Sequence, residues 1–330
     1  PNPFRLSGYP TPRLHAYTAT LPGSEEALFI AKGFRPAMEQ DDLVRRLERL
    51  KQDTGRRIWA VGLCGIIGVG KSSAIKRFCK TGLLQTILDS ALTVASGSWP
   101  AAEKRPLICF VPEPTKEWRE KGWLRTYYAD QNEEAFWFQI QVFLSHVEAV
   151  KRVISQAPPD RDLILIQERT IYDQRLFWEQ QRTLGYKTAT PRHHETYLGV
   201  WEHWRHFIPE PSVLLLFETT ELQQTMHRVR ARARAEELGV SYEADVVPAA
   251  AAAAESIQEA GGVTLNYQEH LLQLHHEWYQ VPLAHPPSAP KEGVPCIAIN
   301  ADSPFHTDDH HLAVLGYQVV EAILTHCLKK

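Results

Sequence analysis

The stretch from Ile58 to Lys76, IWAVGLCGIIGVGKSSAIK, constrains the fold of this chain more than any other. It starts with a run of apolar residues, passes through a glycine-rich loop and ends in residues that suit the first turns of a helix. The loop matches the pattern G-x-x-x-x-G-K-[ST] without a mismatch, at Gly65, Gly70, Lys71 and Ser72. The pattern is that of a phosphate-binding loop between a buried strand and a helix.

The residue types in this loop suit the binding of a triphosphate. The glycines, which include Gly68, let backbone N–H groups turn toward an anion, and the helix N-terminus behind them adds partial positive charge. Lys71 can reach the β- and γ-phosphates. The hydroxyl of Ser72 can ligate Mg²⁺, and the hydroxyl of Ser73 can bind the nucleotide. The loop therefore predicts a nucleoside triphosphate and Mg²⁺ as ligands and leaves the reaction open.

The rest of the chain alternates between short apolar runs and helical patterns. Continuous apolar runs separated by helices predict a parallel sheet covered on both faces, an α/β fold of the P-loop NTPase type with five strands. The predicted strands are 58–63, 107–111, 163–166, 213–217 and 296–299, and the predicted helices include 40–52, 71–84, a long one around 136–154 and 312–328.

Composition narrows the classes of function. The chain has 330 residues, a net charge of −3 and 44% hydrophobic residues, which allows a sizeable core but gives no polyelectrolyte character. We expect no nucleic-acid partner and no transmembrane segment, because no apolar run has the length to cross a bilayer. The five cysteines lie far apart without a C-x-x-C pair, so we expect buried free thiols and no zinc site.

Charged clusters follow the predicted strands, at the edge where ligands of parallel sheets bind. Glu113 follows the second strand and could act as a general base, although an ordinary surface glutamate stays open. Glu168 and Arg169 follow the third strand and suit Mg²⁺ and phosphate oxygens, or else a structural ion pair. The arginines at 228, 230, 232 and 234 follow the fourth strand and suit a lid over the triphosphate, or else a solvated helix face.

The order of these motifs resembles the deoxyribonucleoside kinase family. The chain reads GIIGVGKSS, VPEPTKEW, FWFQ, ERTIYDQRLF and HRVRARARAEELGV in succession, and the resemblance resumes at Ile299 to Asp302, which is similar to the family's adenine-contacting loop. The resemblance implies ATP- and Mg²⁺-dependent phosphorylation of the 5′-hydroxyl of a deoxyribonucleoside. It also implies a homodimer if the chain is a free enzyme.

The resemblance further implies roles for individual residues. Glu113 matches the base at the sugar 5′-hydroxyl, Arg169 matches the arginine at the transferring phosphate, and Glu168 matches the metal-linked carboxylate. Lys71 has its catalytic role from the phosphate loop itself. Gln139 matches the amide that pairs with the nucleobase. The remaining matches are Trp118, Phe138 and Phe177 around the base, Tyr128 and Glu237 at the 3′-hydroxyl, and Arg228, Arg232 and Arg234 in the lid.

Three departures from the family pattern affect specificity and surface. Thr170 replaces a serine and keeps a hydroxyl. His146 and Gln174 occupy the base-pocket positions where cytidine- and purine-preferring members have an arginine and an aspartate, which implies a weak preference for pyrimidines. An insertion at 241–264 lengthens the segment after Glu237.

These features suggest a main domain at 57–330 after an N-terminal extension at 1–56, with a lid at 228–240 and a proline-rich connector at 282–295. Within the extension, residues 1–39 are rich in Pro, Gly, Ser and Thr, and their first acidic residue is Glu25. This composition is typical of organellar targeting, or else of ordinary coil, and it predicts the mitochondrial matrix side, with the cytosol as the alternative. The extension and the insertion could bind other proteins. A kinase-like accessory subunit of a large mitochondrial assembly, such as respiratory complex I, therefore stays open as a second function.

Overall fold

The computed structural model describes residues 55–94, 105–231, 263–279 and 294–328. Several sequence predictions fall outside these ranges. They are the helix at 40–52, nearly all of the extension, the lid beyond residue 231, nearly all of the insertion at 241–264 and nearly all of the connector at 282–295. The division of the chain into these segments thus stays a prediction.

A parallel sheet of five strands forms the centre of the described part of the chain, as the alternating pattern predicts. The strand order is β2-β3-β1-β4-β5, and every neighbouring pair is parallel. The strand before the phosphate loop is central, so the loop leaves the middle of the sheet. The strands are β1 Ile58–Cys64, β2 Leu107–Val111, β3 Leu163–Glu168, β4 Pro211–Glu218 and β5 Cys296–Asn300.

Helices cover both faces of this sheet. On β3, Ile164 and Ile166 join one apolar cluster while Leu163 and Leu165 join another, because successive side chains of a strand point to opposite faces. The helices are α1 Lys71–Thr81, α2 Leu83–Val94, α3 Thr115–Glu120, α4 Trp123–Ala129, α5 Gln131–Gln156, α6 Ile171–Thr183, α7 Pro191–Trp204, α8 Leu222–Ala231, α9 Leu265–Tyr279 and α10 Asp309–His326.

The helix predicted at 71–84 is wrong at its C-terminal end. Gly82 adopts a left-handed conformation, with φ 64°, and its N–H donates to the carbonyl oxygen of Phe78. This is the usual way in which a glycine ends a helix, and α2 starts directly afterwards at Leu83. The long helix predicted around 136–154 is confirmed as α5, whose N-cap is Asp130.

The cysteines are free, but three of them differ from the expectation of buried thiols, since Cys109 and Cys296 are only partly buried. Cys64 and Cys327 are buried, whereas Cys79 on α1 is exposed. Across the described ranges, no helix has the length and apolar character needed to span a membrane.

Candidate active site

A cavity of about 490 Å³ lies at the carboxyl ends of the central strands. The phosphate loop follows β1, Glu113 follows β2 and Glu168 ends β3, so three neighbouring strands each contribute groups to its wall. Two parts of the cavity differ in chemistry. We call the first the charged end, formed by Lys71, Ser72, Glu113, Glu168 and Arg169, and the second the aromatic end, formed by Trp118, Tyr127, Phe138, Gln139, Gln174 and Phe177.

Lys71 lies within the fold of the phosphate loop. Its Nζ donates to the carbonyl oxygens of Gly65 at 2.7 Å and Ile66 at 2.9 Å, and the side chain is buried. Burial, with the nearby positive charge of Arg169, lowers the pKa of Lys71 to about 7. The lysine is therefore near its titration point at neutral pH, and an anionic ligand would favour its charged form.

Ser72 and Glu168 bring oxygen atoms together beside the loop. The Ser72 hydroxyl donates to Glu168 Oε1, and the backbone N–H of Glu113 donates to Glu168 Oε2 at 3.3 Å. A hydroxyl and a carboxylate are ligands that suit Mg²⁺, which usually takes few protein ligands and completes its shell with water and substrate phosphates. Within the described ranges, no group of three or more His, Cys, Asp or Glu could hold a metal ion.

Arg169 connects the two ends of the cavity. Its Nε donates to Glu113 Oε1 at 2.8 Å, its Nη1 donates to the Gly65 carbonyl oxygen at 3.0 Å, and its guanidinium lies 4.4 Å from the ring centroid of Phe177. Burial alone would lower the pKa of Arg169, but the carboxylates of Glu113 and Asp173 raise it, so the group stays charged. The predicted base and the predicted phosphate cation thus form one partly buried ion pair.

The backbone at Arg169 is strained. Its φ is 65°, a left-handed conformation that is uncommon for residues other than glycine and costs roughly 1–3 kcal/mol. Two hydrogen bonds hold it: the Arg169 N–H donates to the carbonyl oxygen of Leu63 on β1 at 3.0 Å, and the Thr170 N–H donates to Asp173 Oδ2 at 2.7 Å. Thr170 also caps α6 with its side chain, so the hydroxyl kept at this position has a structural role.

The aromatic end consists of stacked and edge-on rings. The rings of Tyr127 and Phe138 stack with centroids 4.4 Å apart, and Trp118 meets Phe138 edge-on at 5.9 Å. The Trp118 Nε1–H donates to Ser145 Oγ at 2.7 Å, which fixes the indole. A flat ring such as a nucleobase would find apolar faces here.

Two buried amides break this apolar wall. Gln139 on α5 and Gln174 on α6 are 2% and 1% exposed, and both line the cavity. Gln139 Oε1 and Gln174 Nε2 have no hydrogen-bond partner among the described residues. Because a buried polar atom without a partner is costly, these amides are suited to a polar ligand edge.

Three described residues predicted for the site do not line the cavity: Gly65, His146 and Asp302. The Gly65 carbonyl oxygen instead accepts from Lys71 and Arg169. His146 is fully buried, with Nε2 3.4 Å from Gln167 Oε1, and burial lowers its pKa. Asp302 accepts hydrogen bonds from the Thr219 hydroxyl and, at 2.9 Å, from the Thr220 N–H, so its carboxylate joins the β4 and β5 ends. Among the described residues, neither the Asp302 carboxylate nor the His146 imidazole belongs to the cavity wall.

Tyr128 and Arg228 line the cavity, as do Gly68, Gly70 and Ser73 of the loop. Arg228 lies on α8, and its Nη1 is 3.4 Å from the Val69 carbonyl oxygen. The other predicted lid residues, Arg232 and Arg234, and the sugar-binding candidate Glu237 lie outside the described residues.

The sequence analysis missed several residues of the cavity wall. Tyr127 precedes the predicted Tyr128 and faces the same space, and Tyr267 arrives from α9, after the predicted insertion. A run of aromatics at 127–128 was a visible signal for the first, but no local pattern marks Tyr267. The other unpredicted lining residues include Lys76, Arg119, Leu124, Val142 and His306.

Comparison with known families agrees with this geometry. The family model described as deoxynucleoside kinase matches residues 62–243, more than half of the 330 residues. A search of curated proteins finds no match. The matched range contains both ends of the cavity, and of the described lining residues only Tyr267 and His306 lie outside it. The chain belongs to the deoxynucleoside kinase family.

Proposed function

We propose that this chain transfers the γ-phosphate of ATP to the 5′-hydroxyl of a deoxyribonucleoside, with Mg²⁺. The observation that carries the proposal is the placement of Arg169, which pairs with Glu113 at 2.8 Å and lies 4.4 Å from the ring of Phe177. A nucleoside whose base occupies the aromatic end would therefore have its sugar near the charged end.

The residues of the charged end suit each part of such a transfer. Glu113 accepts the proton of the 5′-hydroxyl as that oxygen bonds to the γ-phosphorus, and the β–γ bridging oxygen leaves with ADP. Lys71 and Arg169 offset the charge on the transferring group, where preorganised cations lower the barrier most. Ser72 and Glu168 would hold Mg²⁺, which would neutralise charge on the phosphates.

The aromatic end supports a neutral pyrimidine base as the preferred acceptor. Gln139 and Gln174 offer amide groups, and each amide supplies both a donor and an acceptor. Neither the arginine nor the aspartate that the resemblance associates with cytidine and purines stands at positions 146 and 174. An amide can accept a hydrogen bond from an amino group or donate one to a carbonyl oxygen. We therefore infer a preference for pyrimidines without strong discrimination between cytosine and thymine.

The experiment that tests this proposal is a panel of the four deoxyribonucleosides with labelled ATP, with and without EDTA. We expect labelled 5′-monophosphates, fastest with the pyrimidines, and loss of product when EDTA removes divalent cations. Equal rates with all four nucleosides would overturn the pyrimidine preference, and undiminished rates in EDTA would overturn the role of Mg²⁺.

The alternative of an accessory subunit requires none of these contacts. The complete set of groups at the charged end favours an active enzyme, because a scaffold has no need for the ion pair of Glu113 and Arg169 beside a phosphate loop. We propose a mitochondrial location on the N-terminal composition alone. Migration of the native protein as a free dimer with kinase activity supports the enzyme; co-migration with a large membrane complex without turnover supports the scaffold.

A further inference from the structure

A glutamine far from the phosphate loop in sequence is hydrogen-bonded to its backbone. Gln268 lies in α9 and is fully buried. Its Nε2 donates to the Ile67 carbonyl oxygen at 2.5 Å, and its Oε1 accepts from the Ile67 N–H at 3.3 Å. One side-chain amide thus engages both polar groups of one loop residue, as a neighbouring strand would.

The opposite side of the loop packs against α8. A Cβ added at Gly68 would lie 2.7 Å from the Thr225 carbonyl oxygen and from Val229 Cγ2, so the loop backbone runs directly against that helix. Arg228, also on α8, contacts the Val69 carbonyl oxygen at 3.4 Å. The loop is therefore held between α8 and α9, the two helices that flank residues 232–262 in sequence.

The helix that carries Gln268 is itself anchored. Gln180 Nε2, on α6, donates to the Tyr267 carbonyl oxygen at 2.8 Å, and Tyr267 lines the cavity. α6 in turn begins next to Glu168 and Arg169 at the charged end. α9 therefore places Gln268 against the loop and Tyr267 in the cavity wall.

We propose that Gln268 is a positioning residue for ATP: it fixes the Ile67 peptide so that the following loop N–H groups converge on the triphosphate. The backbone donors of a phosphate loop bind an anion well only if their directions are set before binding. Gln268 lies directly beside Tyr267 but is not itself part of the cavity wall, so its effect on ATP passes through Ile67. This inference rests on the proposed function only in taking ATP as the ligand.

The test compares Gln268→Leu, which keeps the approximate shape and removes both hydrogen bonds, with wild type. We expect the Kd for ATP, measured by calorimetry, to rise about tenfold, since loss of a buried hydrogen-bonded pair commonly has an effect of that order. The KM for ATP should rise similarly, whereas the KM for the nucleoside at saturating ATP should stay within about twofold.

Gln180→Leu is the matched control, because Gln180 is an equally buried glutamine that donates to the α9 backbone, and no hydrogen bond joins its side chain to the loop among the described residues. We expect a comparable loss of thermal stability with an unchanged Kd for ATP. An unchanged Kd in Gln268→Leu, or equal weakening in both variants, would overturn the proposal. A wild-type chain that binds ATP but phosphorylates no nucleoside would instead refute the proposed function and leave this inference standing.

Amide hydrogen exchange keeps the proposal testable if Gln268→Leu does not fold. In the wild-type protein without nucleotide, we expect the Ile67 amide to exchange slowly, because Gln268 Oε1 accepts its hydrogen. Exchange of Ile67 at the rate of an open loop would contradict the proposal.

Discussion

The charged and aromatic ends of the cavity differ in how their polar groups are satisfied. At the charged end, Lys71, Ser72 and Arg169 each hydrogen-bond to other groups of the same end or to the loop backbone. At the aromatic end, Gln139 Oε1 and Gln174 Nε2 have no partner among the described residues. Polar atoms without a protein partner are left for a ligand to satisfy.

This difference separates the two tasks of the site. The charged end is preorganised by its own network, so changes there should affect the chemical step on every acceptor. The aromatic end depends on the ligand for its hydrogen bonds, so changes there should affect which acceptor is bound. Three substitutions and a change of pH test that separation, in order of decreasing expected effect.

Replacement of Lys71 should have the largest effect. Lys71→Ala removes a cation from the transferring phosphate, and we expect kcat to fall at least about 10³-fold, since charged donors preorganised at the reacting group contribute strongly. The thermal midpoint should change little or rise, because burial disfavours the charged lysine. Lys80→Ala, an exposed lysine on the same helix, should leave kcat unchanged; a near-normal kcat in Lys71→Ala would reject the phosphate role.

Replacement of Glu113 should act on the same step. Glu113→Gln keeps the shape but removes the proton acceptor, and we expect kcat to fall about 10²–10³-fold while the KM for the nucleoside changes little. Initial rates over a range of both substrates measure this. Glu117→Gln, on the neighbouring helix and paired with Lys121, is the matched control. If Glu113→Gln retained its kcat, the general base would have to be another group.

Replacement of Gln139 should affect the acceptor alone. Gln139→Leu removes both hydrogen-bonding groups toward the base, and we expect kcat/KM for the nucleoside to fall about 10–100-fold, the usual range for one lost buried polar contact. The Kd for ATP should be unchanged, because Gln139 belongs to the aromatic end. A matching loss of ATP affinity would show that the two ends are not separable.

The pH dependence of ATP binding should show the smallest effect. The pKa of Lys71 without ligand is about 7, and the phosphates of ATP should raise it, so ATP binds the charged form better. At pH 8 most Lys71 side chains are neutral without ligand and must take up a proton when ATP binds. The Kd for ATP should therefore rise roughly fivefold between pH 7 and pH 8. Calorimetry in buffers of different ionisation enthalpy measures the uptake; Lys71→Met should lack it, and an equal uptake in that variant would assign the proton elsewhere.

The charged end could be predicted from the sequence because its signals are local. The phosphate loop is one continuous motif, and Glu113 and Arg169, although 56 residues apart, each follow an apolar strand. Strands of a parallel sheet end at one edge, so their proximity followed from the fold alone.

The aromatic end was less predictable, because its wall depends on packing between distant helices. His146 lies two turns beyond Gln139 on α5, about 10 Å along the axis, on the same side of the helix. At that distance the His146 imidazole lies beyond the cavity, beside Gln167. The spacing in sequence could not show this placement. Tyr267 and Gln268 lie about 200 residues after the phosphate loop in sequence. Only the tertiary placement of α9 brings Tyr267 to the cavity and Gln268 to the loop.

The central claim, that the two ends act together on the 5′-hydroxyl of one nucleoside, is tested most directly by removing that hydroxyl. The measurement is the transfer of label from [γ-³²P]ATP to deoxycytidine and thymidine, beside their 5′-deoxy analogues, with the purified chain and Mg²⁺. We predict labelled monophosphate from each nucleoside and none from either analogue, which should instead inhibit competitively because the aromatic end still binds the base. Label on a 5′-deoxy analogue, or no transfer to any acceptor above the Lys71→Ala background, would contradict the account.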